Sequence, residues 1–209
     1  VNRSDYYEEM KALARSTRDK YGLVTPRVLR SDLRKIYRDQ GIRVDLWPHK
    51  LKSVRGAYFN DELGPTIMLA KGLPEDPMVF TMAHELKHHL VDSKQLVACC
   101  SEENANAHIE IGAEIFAAEL IYPEGEFLEY FSKKGIGRGS CSAETLVFLK
   151  RETRTTLSYA SLVKRAYFHG LARGGSLDGV QWKKLEEKMF GEPLYKKILR
   201  RRKWVSGER

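Results

Sequence analysis

The chain has 209 residues, of which 42% are hydrophobic and 31% are charged. This length and composition indicate a globular chain that can bury a core without disulfides, and the absence of a run of about 18 apolar residues excludes a membrane-spanning helix. Residues 1–22 are charged throughout, so we expect no secretory signal. The three cysteines lack C-x-x-C spacing, which predicts a reducing, cytoplasmic compartment. We interpret the adjacent Cys99 and Cys100 as reduced thiols, with a redox sensor as the alternative.

The net charge of +8 is unevenly distributed along the chain. Residues 1–43 and 182–209 are rich in Lys and Arg, whereas the centre carries a small excess of acidic residues. The basic run at 200–203, beside Trp204, is the best candidate for contact with an anionic partner, and the basic C-terminal region could bind nucleic acid. The simpler alternative is that these side chains solvate the outer faces of terminal helices.

The first predicted elements in chain order are helices. Residues 4–20 have the pattern of an amphipathic helix. The pair Thr25-Pro26 has the pattern of an N-cap followed by proline in the first turn, and Gly41 is the predicted end of that helix.

Three strands are predicted next. Residues 42–47 alternate between apolar and polar side chains, as a half-buried strand does. Residues 54–60 and 65–70 are joined by a short turn and predict a hairpin. The result is a small, antiparallel-type, three-stranded sheet. An exposed edge of either hairpin strand could bind a substrate segment as an added strand.

Two longer helices are predicted after the strands. Asp76-Pro77 predicts the start of a helix that runs to about Asp92, and residues 104–121 predict another that closes before Pro123. A small sheet packed on helices gives an α+β fold.

A linker or loop is predicted at 132–142, where Gly, Ser and Lys cluster. It separates a domain at 1–131 from a basic, helical region at 143–209. In that region two short helices, about 143–152 and 158–169, resemble a helix-turn-helix in their lengths.

The strongest chemical signal is the H-E-x-x-H pattern formed by His84, Glu85 and His88. On a helix, His84 and His88 lie one turn apart on the same face and can bind one metal ion. Glu85 projects about 100° away, where it can reach a water molecule without being a ligand. The pattern is the signature of zinc proteases. The alternative is a helix whose histidines are ordinary surface or core groups.

A catalytic zinc needs three protein ligands, so a third must be found elsewhere. The metzincin extension is absent, because Val91 and Lys94 stand where it requires glycine and histidine. In the next helix, Glu110 and Glu114 share one face. We predict Glu110 as the third ligand and Glu114 as the acceptor for the N–H of a ligating histidine. An exchange of these two roles, and His108 as the ligand, are the alternatives.

Two blocks of the sequence resemble the ImmA/IrrE family of small zinc metallopeptidases. They are F-x-x-A-H-E-L-x-H at 80–88 and E-x-x-A-x-x-F-A-A-E-L-x-x-P at 110–123. The resemblance implies a minimal gluzincin-like zincin fold and zinc as the metal, with manganese as the alternative. It also implies cleavage of a helix-turn-helix transcriptional repressor, which would derepress stress, DNA-damage or mobile-element genes.

The chain departs from the family pattern at three positions. Gly112 replaces the second glutamate of an E-x-E pattern, Glu114 stands where Asn or Asp is usual, and Tyr122 replaces a methionine. The first departure leaves Glu110 as the natural ligand.

The predicted reaction is hydrolysis of a peptide bond with Glu85 as general base. A developing oxyanion needs a further donor, commonly Tyr or His, and the candidates are Tyr58, Tyr122, Tyr159 and His169. Two alternatives to a site-specific peptidase are a non-catalytic regulator that binds DNA or a repressor on a zincin scaffold, and the toxin component of a toxin–antitoxin pair.

Overall fold

The structure, a computed structural model, describes residues 2–47, 55–93 and 108–193, and the backbone of 97–99. In these ranges it contains eight helices and four strands, which confirms the α+β class. None of these helices combines the length and apolar character that a membrane crossing requires. The side chains of Cys99 and Cys100, residues 104–107 and the basic run at 200–203 lie outside the described residues.

A small mixed sheet contains all four strands, in the order β1-β3-β2-β4. The strands are β1 (Arg43–Trp47), β2 (Gly56–Asp61), β3 (Gly64–Ala70) and β4 (Val97–Cys99). The predicted hairpin is present, since β2 and β3 pair antiparallel. In contrast, β1 pairs in parallel with β3, because β3 runs in the direction of β1 after the chain has reversed twice. The fourth strand has only three residues, too few to give a periodic signal in the sequence.

The hairpin strands are interior strands of this sheet. β3 has β1 and β2 as neighbours, and β2 has β3 and β4. The prediction that one of these strands offers an open edge to a substrate is therefore wrong, because an open edge requires unpaired backbone groups. The described edges of the sheet are β1 and β4.

The helices follow the predicted pattern with two exceptions. They are α1 (Arg3–Tyr21), α2 (Arg30–Asp39), α3 (Glu75–Asp92), α4 (His108–Ile121), α5 (Glu124–Lys133), α6 (Ala143–Thr153), α7 (Tyr159–Phe168) and α8 (Trp182–Phe190). Helix α5 was not predicted. It begins directly after Pro123, so this proline marks a change of helix and not an exit into a loop.

Helix α2 starts later than predicted. Thr25 Oγ1 accepts a hydrogen bond from the backbone N–H of Arg27 at 3.3 Å, which makes a local turn. The helix begins at Arg30, where the carboxylate of Asp32 accepts the backbone N–H of Leu29 at 2.9 Å. The capping group is therefore Asp32 and not Thr25.

Helix α3 is held between the sheet and the other helices. It contacts β2 and β3 on one side and α4 on another, while α1 packs on α4 and α2 packs on α3. Ala113 and Ala117 of α4 are completely buried and allow neighbouring elements to approach closely. This packing places the H-E-x-x-H segment in the interior, next to α4.

The C-terminal helices share the apolar core of the N-terminal part. The buried cluster extends from Met10 to Leu177 and includes Leu149 of α6 and Leu162 of α7. The division into 1–131, a linker at 132–142 and 143–209 stays a prediction, as does the DNA-binding interpretation of α6 and α7.

Candidate metal centre

Helix α3 presents both histidines of the motif inside the protein. His84 and His88 are buried, with exposed fractions of 8% and 0%. Two residues before His84, the carbonyl of Met82 accepts a hydrogen bond at 2.5 Å from the buried hydroxyl of Tyr37 in α2. The helix is therefore fixed by contacts on several sides, which defines the direction of its polar side chains.

The two histidines and Glu110 converge on one point. The Nε2 atoms of His84 and His88 lie 3.2 Å apart. Glu110 Oε2 lies 3.1 Å from Nε2 of His84, and Glu110 Oε1 lies 3.4 Å from Nε2 of His88. In a tetrahedral zinc site with bonds of about 2.0–2.1 Å, ligand atoms lie roughly 3.3 Å from one another. The three side chains therefore fit one metal ion. Among the described residues, they form the cluster of His, Cys, Asp or Glu side chains that is close enough together to bind a metal.

Hydrogen bonds within this cluster set the charges of His88 and Glu110. Burial opposes protonation of His88, but hydrogen bonds to Asp92 and Glu110 outweigh it and raise its pKa to about 9. Burial alone would raise the pKa of Glu110, but hydrogen bonds from His84 and His88 hold it well below its usual range. Glu110 is thus a carboxylate, as a metal ligand must be.

Glu85 is completely buried beside the histidines. Its carboxylate reaches β2, where a Cβ on Gly56 would lie 2.7 Å from Oε1 of Glu85 and 2.5 Å from Cγ2 of Thr81. Its negative charge contributes to the raised pKa of His88, so the two groups are close. The absence of a side chain at Gly56 is what allows this position for Glu85.

Sequence reasoning missed Asp92, the residue that accepts the second N–H of His88. Nδ1 of His88 lies 2.8 Å from Oδ2 of Asp92, and the Nζ atom of the buried Lys87 lies 2.7 Å from the same oxygen. A carboxylate that accepts the N–H of a metal-ligating histidine fixes the tautomer and direction of that ring, and Asp92 is placed to do this for His88. The signal in the sequence is the spacing, because Asp92 follows His88 by one helical turn.

Glu114 does not have the predicted supporting role. It is exposed, and its carboxylate accepts a hydrogen bond from Lys164 of α7 at 2.6 Å. One turn separates it from Glu110, and this is enough to take it from the α3–α4 interface to the surface. The prediction that Glu114 orients a ligating histidine is therefore wrong, as is the alternative in which Glu114 is the ligand.

His108, the other alternative ligand, also lies apart from the cluster. Its ring packs at a tilt of 35° against Tyr6 of α1, with centroids 3.9 Å apart. The same tyrosine occupies the space beside Gly112, where a Cβ would lie 2.6 Å from the phenol ring. Gly112, which replaces the second glutamate of the family pattern, therefore leaves the space that Tyr6 of α1 occupies against α4.

One of the predicted oxyanion donors contacts α3 at His89. Tyr58 of β2 is completely buried, and its hydroxyl lies 3.2 Å from Nδ1 of His89. Burial raises the pKa of this tyrosine above its ordinary value, so it keeps its proton. Tyr58 is thus a neutral hydroxyl next to α3, the helix that carries His84 and His88.

The other three candidates make their contacts elsewhere. Tyr122 lies past the end of α4, about 18 Å along the helix axis from Glu110, and packs edge-on against Phe127. Tyr159 stacks on Trp182 and donates to Glu186 at 2.5 Å. His169 lies 3.5 Å from the carboxylate of Glu124. The structure does not bring these three side chains to the cluster.

A comparison with models of protein families finds a match that includes the candidate metal-binding residues. The model described as the IrrE N-terminal-like domain, a peptidase of the M78 class, matches residues 38–169, which include the three side chains that converge between α3 and α4. The chain belongs to this family. Membership in the IrrE-like family confirms the resemblance found in the sequence and supports a metallopeptidase-type or regulator-related role.

Solved structures support the fold. The chain is similar to a "Mycobacterium tuberculosis transcriptional regulator", with a TM-score of 0.54 and 17% identity over 83% of this chain. The chain spans about half of that protein, 52% of its length. None of the curated proteins gave a significant match. At this identity the likeness concerns the fold of the IrrE-like chain alone.

Proposed function

We propose that this chain is a zinc-dependent, site-specific endopeptidase. The observation that carries the proposal is the convergence of His84, His88 and Glu110 at 3.1–3.4 Å, with Glu85 buried beside them. Two neutral imidazoles and one carboxylate are a ligand set found in catalytic zinc sites of peptidases. Manganese is the alternative metal for the same ligands.

The chemistry divides between the metal and the protein. Zinc held by these ligands supplies a Lewis acid that polarises a peptide carbonyl and lowers the pKa of a water molecule. Glu85 takes a proton from the attacking water and delivers it to the leaving amine. Tyr58 is the best placed of the predicted donors to an oxyanion, since it contacts α3 at His89.

The proposed substrate is a helix-turn-helix transcriptional repressor. Family membership supports a regulatory setting, as does the structural similarity to a protein described as a transcriptional regulator. Cleavage of a repressor would derepress stress, DNA-damage or mobile-element genes, and we propose the cytoplasm as the location where the peptidase would meet this substrate. The basic C-terminal region could also bring the protein to nucleic acid.

The test of this proposal is the substitution Glu85→Gln. The variant should retain zinc, because Glu85 is not a ligand, and should lose about 10²–10⁴-fold in the rate of repressor cleavage. The measurements are the metal content of the purified protein and the cleavage of a purified helix-turn-helix repressor, chosen first from any encoded beside this chain. Glu114→Gln is the matched control, since it makes the same chemical change on the surface, and it should cleave normally. Unchanged cleavage by Glu85→Gln would contradict the assigned role.

The alternative of a non-catalytic regulator gives a different result. A regulator that uses the zincin fold as a scaffold predicts salt-sensitive DNA binding that survives His84→Ala, with no proteolysis by the unsubstituted chain. The complete burial of Glu85 next to the cluster favours the peptidase, because a scaffold has no chemical need for this carboxylate. A toxin component that acts by proteolysis would behave as the peptidase does in this test.

A further inference from the structure

Lys87 lies between the two histidines of the motif in sequence, and its ammonium group is completely buried. Nζ lies 2.7 Å from Oδ2 of Asp92 and donates to the carbonyl of Ile109 at 3.1 Å. The ring of Tyr6 lies 5.7 Å from it, a cation–π distance. A buried ammonium is costly without such partners, so these contacts fix where Lys87 can be.

Asp92 has two donors on one oxygen. Oδ2 lies 2.7 Å from Nζ of Lys87 and 2.8 Å from Nδ1 of His88. Because a carboxylate only accepts, the proton on the His88 ring is on Nδ1 at this contact. Nε2 of His88 is the atom that faces His84 and Glu110. The pair of Lys87 and Asp92 therefore selects which nitrogen of His88 is offered to a metal.

The same lysine also reaches the helix that supplies the third ligand. Ile109 lies in the first turn of α4 and immediately precedes Glu110. Through this carbonyl, Lys87 connects α3, which carries both histidines, to the backbone next to the carboxylate ligand. Lys87 thus contacts Asp92, which is hydrogen-bonded to His88 in α3, and the backbone of Ile109, which is next to Glu110 in α4.

We propose that Lys87 and Asp92 are positioning residues of the metal centre, which hold His88 and Glu110 in the arrangement that binds the metal. The inference rests on the metal site of the proposed function and adds two residues to it. Replacement of a buried ion pair by neutral groups of similar volume is often tolerated by a fold. The effect of such a replacement is therefore expected in metal binding more than in folding.

The experiment compares two double variants that each remove one positive and one negative charge. Lys87→Met with Asp92→Asn removes the buried pair, and Glu114→Gln with Lys164→Met removes an exposed pair that also reaches α4. Zinc dissociation constants are measured by competition with a chelator. The buried double variant should bind zinc about 10–100-fold more weakly, and the control should match the unsubstituted protein within about twofold. Equal affinities of the two variants would overturn the proposal.

A second measurement needs no variant to fold. In the zinc-loaded, ¹⁵N-labelled protein, NMR should show His88 with its proton on Nδ1, in slow exchange with water because of the hydrogen bond to Asp92. A proton on Nε2, with the metal on Nδ1, would overturn the proposal. Both measurements are independent of proteolysis. A protein that binds zinc in this way and cleaves nothing contradicts the proposed peptidase and leaves the positioning pair intact.

Discussion

At the scale of single residues, burial and hydrogen bonding act most directly on His88. It is completely enclosed, and its ring nitrogens face Asp92 on one side and His84 and Glu110 on the other. Burial opposes protonation of His88, but its hydrogen bonds to Asp92 and Glu110 outweigh burial and raise the pKa of His88 to about 9. Proton and metal therefore compete for the same side chain, since a metal ligand must be the neutral imidazole.

This competition predicts the pH dependence of zinc binding. Between about pH 7 and pH 9, His88 must release its proton when zinc binds, so the apparent affinity should rise about tenfold per pH unit. Calorimetry in two buffers of different ionisation enthalpy counts the protons, and about one per zinc is expected near pH 7.5. A pH-independent affinity would contradict the raised pKa of His88.

The stability of the metal-free protein should change over the same interval. The pKa of His88 in the fold, about 9, is above its ordinary value of 6.5. The protonated form therefore stabilises the fold fully below pH 6.5, and this contribution is lost as the pH rises to about 9. The zinc-loaded protein should not show this loss, because its imidazole carries no second proton.

Gly56 provides a prediction about the position of Glu85. In Gly56→Ala the new Cβ would overlap Glu85 and Thr81, so the carboxylate must move. A shift of about 1 Å in a catalytic group can cost roughly 10²-fold, so cleavage should fall strongly while the zinc affinity stays unchanged. Gly125→Ala is the control, since nothing lies within 4 Å of a Cβ at Gly125. Equal cleavage by both variants would show that Gly56 has no such role.

At the scale of helices, α4 is held at both ends by side chains from other elements. Lys87 of α3 contacts its first turn at Ile109. At its last turn, Nη1 of the buried Arg18 of α1 donates to the carbonyls of Leu120 and Ile121, at 2.7 and 3.2 Å. These carbonyls have no partner within the helix, so Arg18 acts as a C-terminal cap supplied by another helix.

Arg18→Met should therefore destabilise the fold. Two buried carbonyls would lose their donor, which should lower the free energy of unfolding by about 1–3 kcal/mol. Urea denaturation followed by circular dichroism measures the change. Arg3→Met, an exposed change on the same helix, should stay within about 0.5 kcal/mol. If both variants unfold alike, the carbonyls at the end of α4 do not depend on Arg18.

The prediction of helices from the sequence was most accurate where all of the signals for a helix lie within one segment of the chain. The H-E-x-x-H helix is predicted to run from Asp76 to about Asp92 and spans Glu75–Asp92, because its apolar pattern and histidine spacing lie within one segment. Its start has no side-chain cap, since Pro74 stands at the N-cap and Asp76 lies in the first turn. Helix α5 was missed, since Pro123 was interpreted as an end and not as the start of the next helix. The fate of Glu114 could not be predicted, because the rotation of α4 relative to α3 and α7 depends on long-range packing.

At the scale of the whole molecule, α1 lies outside the family match of 38–169 but belongs to the same core. It packs along α4, places Tyr6 beside Gly112 and supplies Arg18. Helix α4, which carries Glu110, is therefore packed against a helix that lies outside the matched residues. Any ion held by α3 and α4 should in turn stabilise the packing of the whole N-terminal part.

Metal removal tests this coupling between site and fold. Zinc at about 100 times its dissociation constant should add about 2.7 kcal/mol to the free energy of unfolding. For a chain of this size, that corresponds to a rise in Tm of roughly 5–11 °C, and excess chelator should reverse it. His84→Ala with His88→Ala should show no zinc-dependent rise. A Tm that is insensitive to zinc in the unsubstituted protein would contradict a site formed by the folded state.

The sequence by itself determined the α+β class and the family resemblance, and it indicated His84, Glu85, His88 and Glu110 as candidate site residues. These depend on spacings within a helix and on two blocks of sequence. The tertiary structure decided which acidic residue supports His88, which strands are interior, and how α1 and Lys87 fix α4. Those features depend on contacts between segments far apart in the chain. Such contacts follow from how helices and strands rotate and pack against one another, and no local pattern encodes that rotation.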